Sequence, residues 1–431
     1  MTKRTRTILF LACLLLFTLI APSAVLYSQG YRIDLENRKF TQTGGLFIKA
    51  TPRQVDIYVD GKLEKRTDFF FGSVLVENLL PKKYNIEIKK EGYHSWEKAL
   101  EIKERQVQEV KNVILFPQNV NFDLLSGQVE RLWFSPDQRK IIMQEEEKLG
   151  WALKLYDLDK NIKSRLMAEE DIFVEGSELI DLTFSQDSKK IDLEIAAKEK
   201  IRYFVLELDK ASPTTTEITT PEPLGDESES SSLPIASARV NNDFYHLDGS
   251  GRLFKNGAEL TSQPFPVKQE TEYVLSIFQN HVFLQETDAL YKFNNDSKNF
   301  EFFFDRIKSL RISPDNKKLA YFSEHEIWIL FLDDKSDPPQ KRSGEKTFLM
   351  RLSEEITDVF WTNDNYLIFA AGEVIKISEI DDRDKLNVVD IFETKKLPEN
   401  GSLAKIFWNQ SDKKLYLLKE KSLYGSDVIL P

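Results

Sequence analysis

Cysteine is nearly absent from this chain: Cys13 is the single one in 431 residues. That excludes an intramolecular disulfide and any cysteine-based zinc site. Histidine is almost as scarce. His94, His246, His281 and His325 are scattered, with no i,i+4 pair and no H-E-x-x-H run, so each reads as a surface or strand residue and no metal is expected. The 17 glycines form neither a phosphate-binding loop nor a G-x-S-x-G nucleophile elbow. Basic residues fall short of acidic ones, 59 against 70, for a net charge of −11. Such a surface repels phosphate backbones, so nucleic acid is not expected as a partner.

Phenylalanine, by contrast, is plentiful at 30 residues, within a chain that is 41% hydrophobic and 30% charged. This composition belongs to a folded protein, and its aromatic weight suits strands. The length exceeds the roughly 250–300 residues at which single cores stop growing, so more than one folded unit is expected.

One long apolar run exists. Lys3, Arg4 and Arg6 precede an uncharged stretch whose apolar part covers 8–27, close to the roughly 20 residues a helix needs to cross a bilayer. The basic flank predicts an N-terminus on the cytoplasmic side and everything after residue 31 on the far side. A cleaved signal peptide is the alternative, with Pro22-Ser23-Ala24 before the cut; either outcome exports the remainder. Cys13, followed by most of the apolar run, reads as a small residue of a membrane helix and not as a lipid attachment point.

After a polar connector at 32–43, residues 44–117 turn to period two. Leu46-Phe47-Ile48, 55–59, 84–88 and 107–116 read as strands, Asp60-Gly61 as a hairpin turn and Glu91-Gly92 as another turn. Thr51-Pro52, the run from Val55 to Gly61, Leu79-Leu80-Pro81 and Glu91-Gly92-Tyr93 together resemble the PEGA domain, a small β-sandwich of bacterial surface proteins. The name motif itself departs: Arg53, Gln54 and Val55 follow Pro52, Lys82 replaces a glycine and Asp68 a proline. The resemblance implies an extracytoplasmic, non-enzymatic interaction module, often tethered by one membrane helix. Asp60 reads as a turn residue bonding its own backbone, since no second acidic residue stands at a calcium-ligand spacing.

The remainder, 118–431, repeats. Leu132-Trp133-Phe134-Ser135-Pro136-Asp137, Leu182-Thr183-Phe184-Ser185-Gln186-Asp187 and Leu310-Arg311-Ile312-Ser313-Pro314-Asp315 are each followed by a returning apolar strand. Weaker copies contain Asp364 and Asp412. The aligned aspartates stand 50, 128, 49 and 48 residues apart, a period in the propeller range. The wide gap holds two degenerate units, at 239–267 and 273–304. Seven blades result, with six as the alternative, and the strand at 120–124 is expected to pair with the last unit and close the ring. Residues 211–234, rich in Ser, Thr, Pro and Glu, read as a solvated disordered insertion. The repeats are similar to the Ser-Pro-Asp-Gly repeats of Tol-system and peptidase-associated propellers. Gln138, Ser188 and Asn316 stand where those repeats have glycine.

The expected fold is therefore all-β: a transmembrane helix, a small PEGA-like sandwich and a β-propeller. No catalytic, cofactor-binding or metal-binding residue is assigned. Asp333-Asp334 and Asp381-Asp382 read as solvated turns, and Trp133, Trp361 and Trp408 as packing between blades. The expected function is that of a membrane-tethered extracytoplasmic scaffold of the cell envelope, non-enzymatic and binding protein or glycan. The alternative is an envelope enzyme, a lyase or hydrolase with scattered carboxylates at the propeller channel.

Overall fold

The computed structural model describes residues 3–35, 38–148, 150–172, 176–198, 200–208, 214–218, 234–240, 243–398 and 403–430. Its one long helix, Lys3–Ser28, spans 26 residues, or about 39 Å at 1.5 Å per residue. Its most apolar stretch buries none of its residues against the rest of the protein. Thr18, Ser23 and Ser28 turn their hydroxyls back onto the carbonyls of Leu15, Leu19 and Val25, so apolar surroundings would meet no unpaired hydroxyl there.

The segment read as a polar connector is instead a hairpin, Tyr31–Asp34 against Lys39–Gln42, with Ile33 opposite Phe40. Arg32 fastens it at both ends. Its guanidinium donates to the Tyr27 and Tyr31 carbonyls, each at 2.9 Å, and to Asn78 Oδ1 at 2.7 Å.

Residues 44–114 form two sheets around one core. Gly44–Thr51 lies between Ser73–Leu79 and Val107–Ile114, and the second sheet orders Lys62–Arg66, Asp56–Val59, Lys83–Lys89 and Trp96–Glu101. The inward positions of the period-two pattern, Leu46, Ile48, Ile57, Ile86 and Ile88 among them, are wholly buried. Asp60 and Gly61 both have positive φ, 49° and 77°, the combination a two-residue hairpin turn requires. The Asp60 carboxylate accepts from Asn85 N at 2.9 Å, bonding the neighbouring strand where its own backbone was expected.

From residue 122 onward the described strands make seven four-stranded antiparallel sheets, six of them meanders of consecutive strands, numbered in chain order as the propeller's first to sixth sheets: 129–168, 178–218, 236–259, 273–304, 309–351 and 356–393. The seventh takes Lys405–Asn409, Lys414–Lys419 and Ser422–Ser426, and adds Phe122–Ser126 as its outermost strand. The beginning of the region thus pairs with its end, as the closure reading expected. Apolar clusters bridge six of the seven junctions between neighbouring sheets: Leu153 with Leu193, Leu247 with Leu284, Phe283 with Tyr321, Ile329 with Phe369, Ile377 with Ile406, and Met143 with Tyr416. Sheets that bury both faces on sequential neighbours in this way form a β-propeller.

Part of the 211–234 reading is corrected. Thr214–Ile218 is a strand, paired with Lys200–Glu207 as the fourth of the second sheet. Threonine suits an outer strand, where its branched Cβ favours extended backbone. Residues 211–213 and 219–233 lie outside the described residues.

Candidate functional site

The repeated Ser-x-Asp turn ties each sheet together and ties sheets to each other. Ser135, Ser185 and Ser313 each donate a hydroxyl hydrogen bond to the aspartate two residues on, at 2.6, 2.7 and 2.5 Å. Each of those hydroxyls also accepts from the backbone N–H of the returning strand, at Lys140, Lys190 and Lys318. Gln138, Ser188 and Asn316 all sit at φ +58°, the left-handed region that explains why glycine is usual there. Two of the three side chains bridge sheets. Ser188 Oγ accepts from Asp137 N at 3.1 Å, and Gln138 Oε1 accepts from Gln410 N at 2.7 Å. A glycine would remove both contacts.

The small sandwich docks on the sixth sheet. Its edge strand Trp96–Glu101 meets the 380–387 loop, and Asn387 behaves as a one-residue strand. The Asn387 carboxamide accepts from Glu97 N at 2.9 Å and donates to Glu97 O at 3.1 Å. Lys98, wholly buried, donates to the carbonyls of Asp381 and Lys385 and pairs with Glu379 at 2.8 Å. Trp96 Nε1 donates to the other Glu379 oxygen at 2.9 Å. Behind these contacts, Ile114 N donates to the Tyr366 hydroxyl at 3.0 Å, and burial holds that phenol neutral by raising its pKa well above the usual value.

The reading of Asp381 as a solvated turn is therefore overturned, while Asp382 remains exposed. Burial acts to raise the Asp381 carboxyl pKa, but the Arg383 guanidinium bonded to it outweighs burial and holds it below the usual range. Arg383 also reaches the Glu109 carbonyl of the sandwich at 2.7 Å. Asp382 pairs with Lys341 at 2.7 Å. Asp381 thus belongs to the docking interface, while the Asp382 pair joins two loops of the propeller. A cavity of about 40 Å³ lies behind it, between Trp96, Val113, Phe331 and Tyr366. That is space for a few waters at most and none for a substrate.

The open concavity lies elsewhere, between the fourth and fifth sheets. A groove of about 500 Å³ is lined by Phe302, Phe303, Phe304, Arg306, His325, Glu326, Arg351 and Leu352. Outer strand Asn299–Phe304 supplies the aromatic wall. Phe304 meets Trp328 edge-on, Trp328 meets Phe348, and the Lys346 ammonium lies 3.6 Å over the Phe303 ring. Burial lowers the Lys346 pKa. The polar wall carries the Glu326–Arg351 pair at 2.6 Å, and His325 Nδ1 lies 3.3 Å from the Glu354 carbonyl. Aromatic faces beside fixed charges suit recognition of an amphipathic ligand. A second, shallower concavity of about 440 Å³ lies against Trp151, Arg165 and Glu170.

The other sequence-named residues take structural positions. Trp133, Trp361 and Trp408 pack in clusters shared by adjacent sheets, and Trp361 Nε1 reaches Arg311 O of the preceding sheet at 2.8 Å. His246 stacks between Phe244 and Phe254. Asp334 caps Ser343 N at 2.8 Å. Among the described residues no three His, Cys, Asp or Glu side chains gather as metal ligands. Sequence reasoning missed the docking residues, although a lysine on the inward face of Trp96-x-Lys98-x-Leu100 was a usable signal. It read the Phe302–Phe304 run only as a strand.

No family model matches the chain, and no curated protein does. Solved structures similar to it include YCF48 from Cyanidioschyzon merolae, at 12% identity and a TM-score of 0.41, covering 72% of this chain and 98% of that one. The Cps50 (Swd1) β-propeller domain of Myceliophteria thermophila is similar at 10% identity and a TM-score of 0.37, covering 72% of this chain and all of that one.

Proposed function

We propose that the chain is a single-pass membrane protein of a bacterial cell envelope, non-enzymatic, acting as a tethered scaffold. In this reading residues 8–27 span the membrane with the N-terminus cytoplasmic. A PEGA-like sandwich then holds a seven-bladed propeller outside, where it binds a protein or glycan. The observation that carries the reading is the aromatic groove between the fourth and fifth sheets, on a ring whose position is set by the buried Lys98–Glu379 docking. An open groove with exposed aromatic rings on a rigid support is how loop- and edge-rich propellers present a binding surface.

Site-specific photo-crosslinking in the native membrane tests this. A crosslinker at Phe302 should give one discrete adduct, with none from Ile201 on another exposed strand. Equal labelling at both positions, or none at either, would count against the groove as the binding face.

A further inference from the structure

The hairpin that follows the helix is inside out. Its strands alternate, and Asp34 and Thr41 on one face are buried against the sandwich. The other face carries Ile33, Leu35 and Phe40, which are 58%, 81% and 69% exposed. Ile33 and Phe40 are direct cross-strand partners, so the three make one continuous apolar patch with no protein over it among the described residues. A soluble ribbon would turn that face inward. Here the polar face points to protein and the apolar face away from it.

The patch sits directly beyond the helix. Gly30 O accepts from Thr43 N at 2.9 Å, and the Arg32 guanidinium lies 3.5 Å over the Tyr27 ring of the last helical turn. Helix end, hairpin and sandwich are thereby held together. Arg38, exposed, stands at the hairpin tip, where a cation would meet anionic headgroups, while Lys39, opposite Asp34, belongs to the polar face. Glu36 and Asn37 lie outside the described residues.

We infer that this hairpin is a membrane-surface anchor, its Ile33–Leu35–Phe40 face seated at the boundary between lipid headgroups and acyl chains. The inference rests on the reading of 8–27 as a membrane span. The occupant is the lipid surface, because the hairpin is tied directly to the end of the apolar helix and Arg38 stands at its tip. Seating it fixes the sandwich, and with it the propeller, at a set tilt and height above the bilayer. Burying these three side chains follows the logic of interfacial amphipathic segments, whose apolar faces enter about 5–10 Å.

Depth-dependent fluorescence quenching tests it on the full chain in vesicles containing anionic lipid. In a Cys13→Ser background, an NBD label is placed by Leu35→Cys or Phe40→Cys. Phe70→Cys is the control: also exposed, it lies by the Thr51 end of the Gly44–Thr51 strand, about 23 Å along it from the hairpin base. Cys13 itself, labelled in the native chain, reports the span. Nitroxide high on the acyl chain should quench positions 35 and 40 at least about twofold more than position 70, given the shallow insertion expected. Deep nitroxide should quench Cys13. If Cys13 is quenched while 35 and 40 match 70, the surface anchor is wrong and the span stands. If none is quenched, the span reading fails and the anchor with it.

Discussion

Lys98 Nζ lies 2.8 Å from Glu379 Oε1, and the two side chains are 0% and 4% exposed. One belongs to the sandwich and the other to the sixth sheet. A buried ion pair is tolerable only where further hydrogen bonds satisfy both partners. Here two carbonyls complete the lysine, while Trp96 Nε1, Asn387 N and Asn387 Nδ2 complete the carboxylate. Such a set specifies one docking geometry between the sandwich and the ring.

Removing one partner of that pair should therefore be costly. Lys98→Met is expected to destabilise by about 3–5 kcal/mol, because it leaves a buried carboxylate without its cation. Adding Glu379→Gln should recover much of the loss, since glutamine is neutral and can still accept from Trp96. Urea unfolding of the detergent-solubilised protein reads this; a silent Lys98→Met would mean the interface is not closed.

Ring closure depends on Phe122–Ser126 pairing with Ser422–Ser426. Replacing Phe122–Ser126 by an equally long Gly-Ser run keeps the connection and removes the strand. The cooperative melt should then move to lower temperature, as the edge of Ser422–Ser426 loses its partner. An unchanged melt would contradict the closure.

At Ser188 two effects oppose each other. The residue sits at φ +58° and is wholly buried, and its Oγ accepts from Asp137 N across the sheet junction. Ser188→Ala keeps the strained backbone and orphans that N–H, so it should cost about 1–3 kcal/mol. Ser188→Gly loses the same bond but relieves the strain, and should cost less. Chemical denaturation that ranks glycine below alanine would refute this account of the turn.

The melting temperature should also depend on two histidines. Burial lowers the pKa of His94 against the pull of Asp390, and lowers that of His281 with help from Lys292. A histidine with a depressed folded-state pKa stabilises the fold above its ordinary value of about 6.5; as pH falls through that value, the unfolded chain takes up a proton the folded chain resists. Stability should drop on acidification below about pH 6.5, and His94→Gln with His281→Gln should flatten that drop. A slope untouched by the double substitution would remove both from the account.

Much of this fold was legible because its signals are local. Ser-Pro-Asp turns announce themselves through side chains that bond within a few residues, Asp60-Gly61 through the positive φ that glycine accepts, and Leu46, Ile57 and Ile86 show their burial by alternation. Strand Lys62–Arg66 did not, because all five of its residues are exposed and no apolar face marks it. The hairpin at 31–42 was misread because its apolar face points away from the protein, so the usual inference from alternation runs backwards. Asn387 could not have been found: a loop carboxamide standing in for a strand has meaning only once Glu97 is beside it. The aromatic groove lay between these cases, visible as Phe302-Phe303-Phe304 but without the neighbouring sheet that makes it concave.

The measurement that bears most directly on the account is the side of the membrane occupied by both folded units. In a Cys13→Ser background, Lys62→Cys marks the sandwich and Asp305→Cys the propeller, both positions being exposed. The account predicts that a membrane-impermeant maleimide labels each in intact spheroplasts, with the protein retained in washed membranes. Labelling only after lysis would put both units in the cytoplasm and contradict the tethered, outward-facing scaffold.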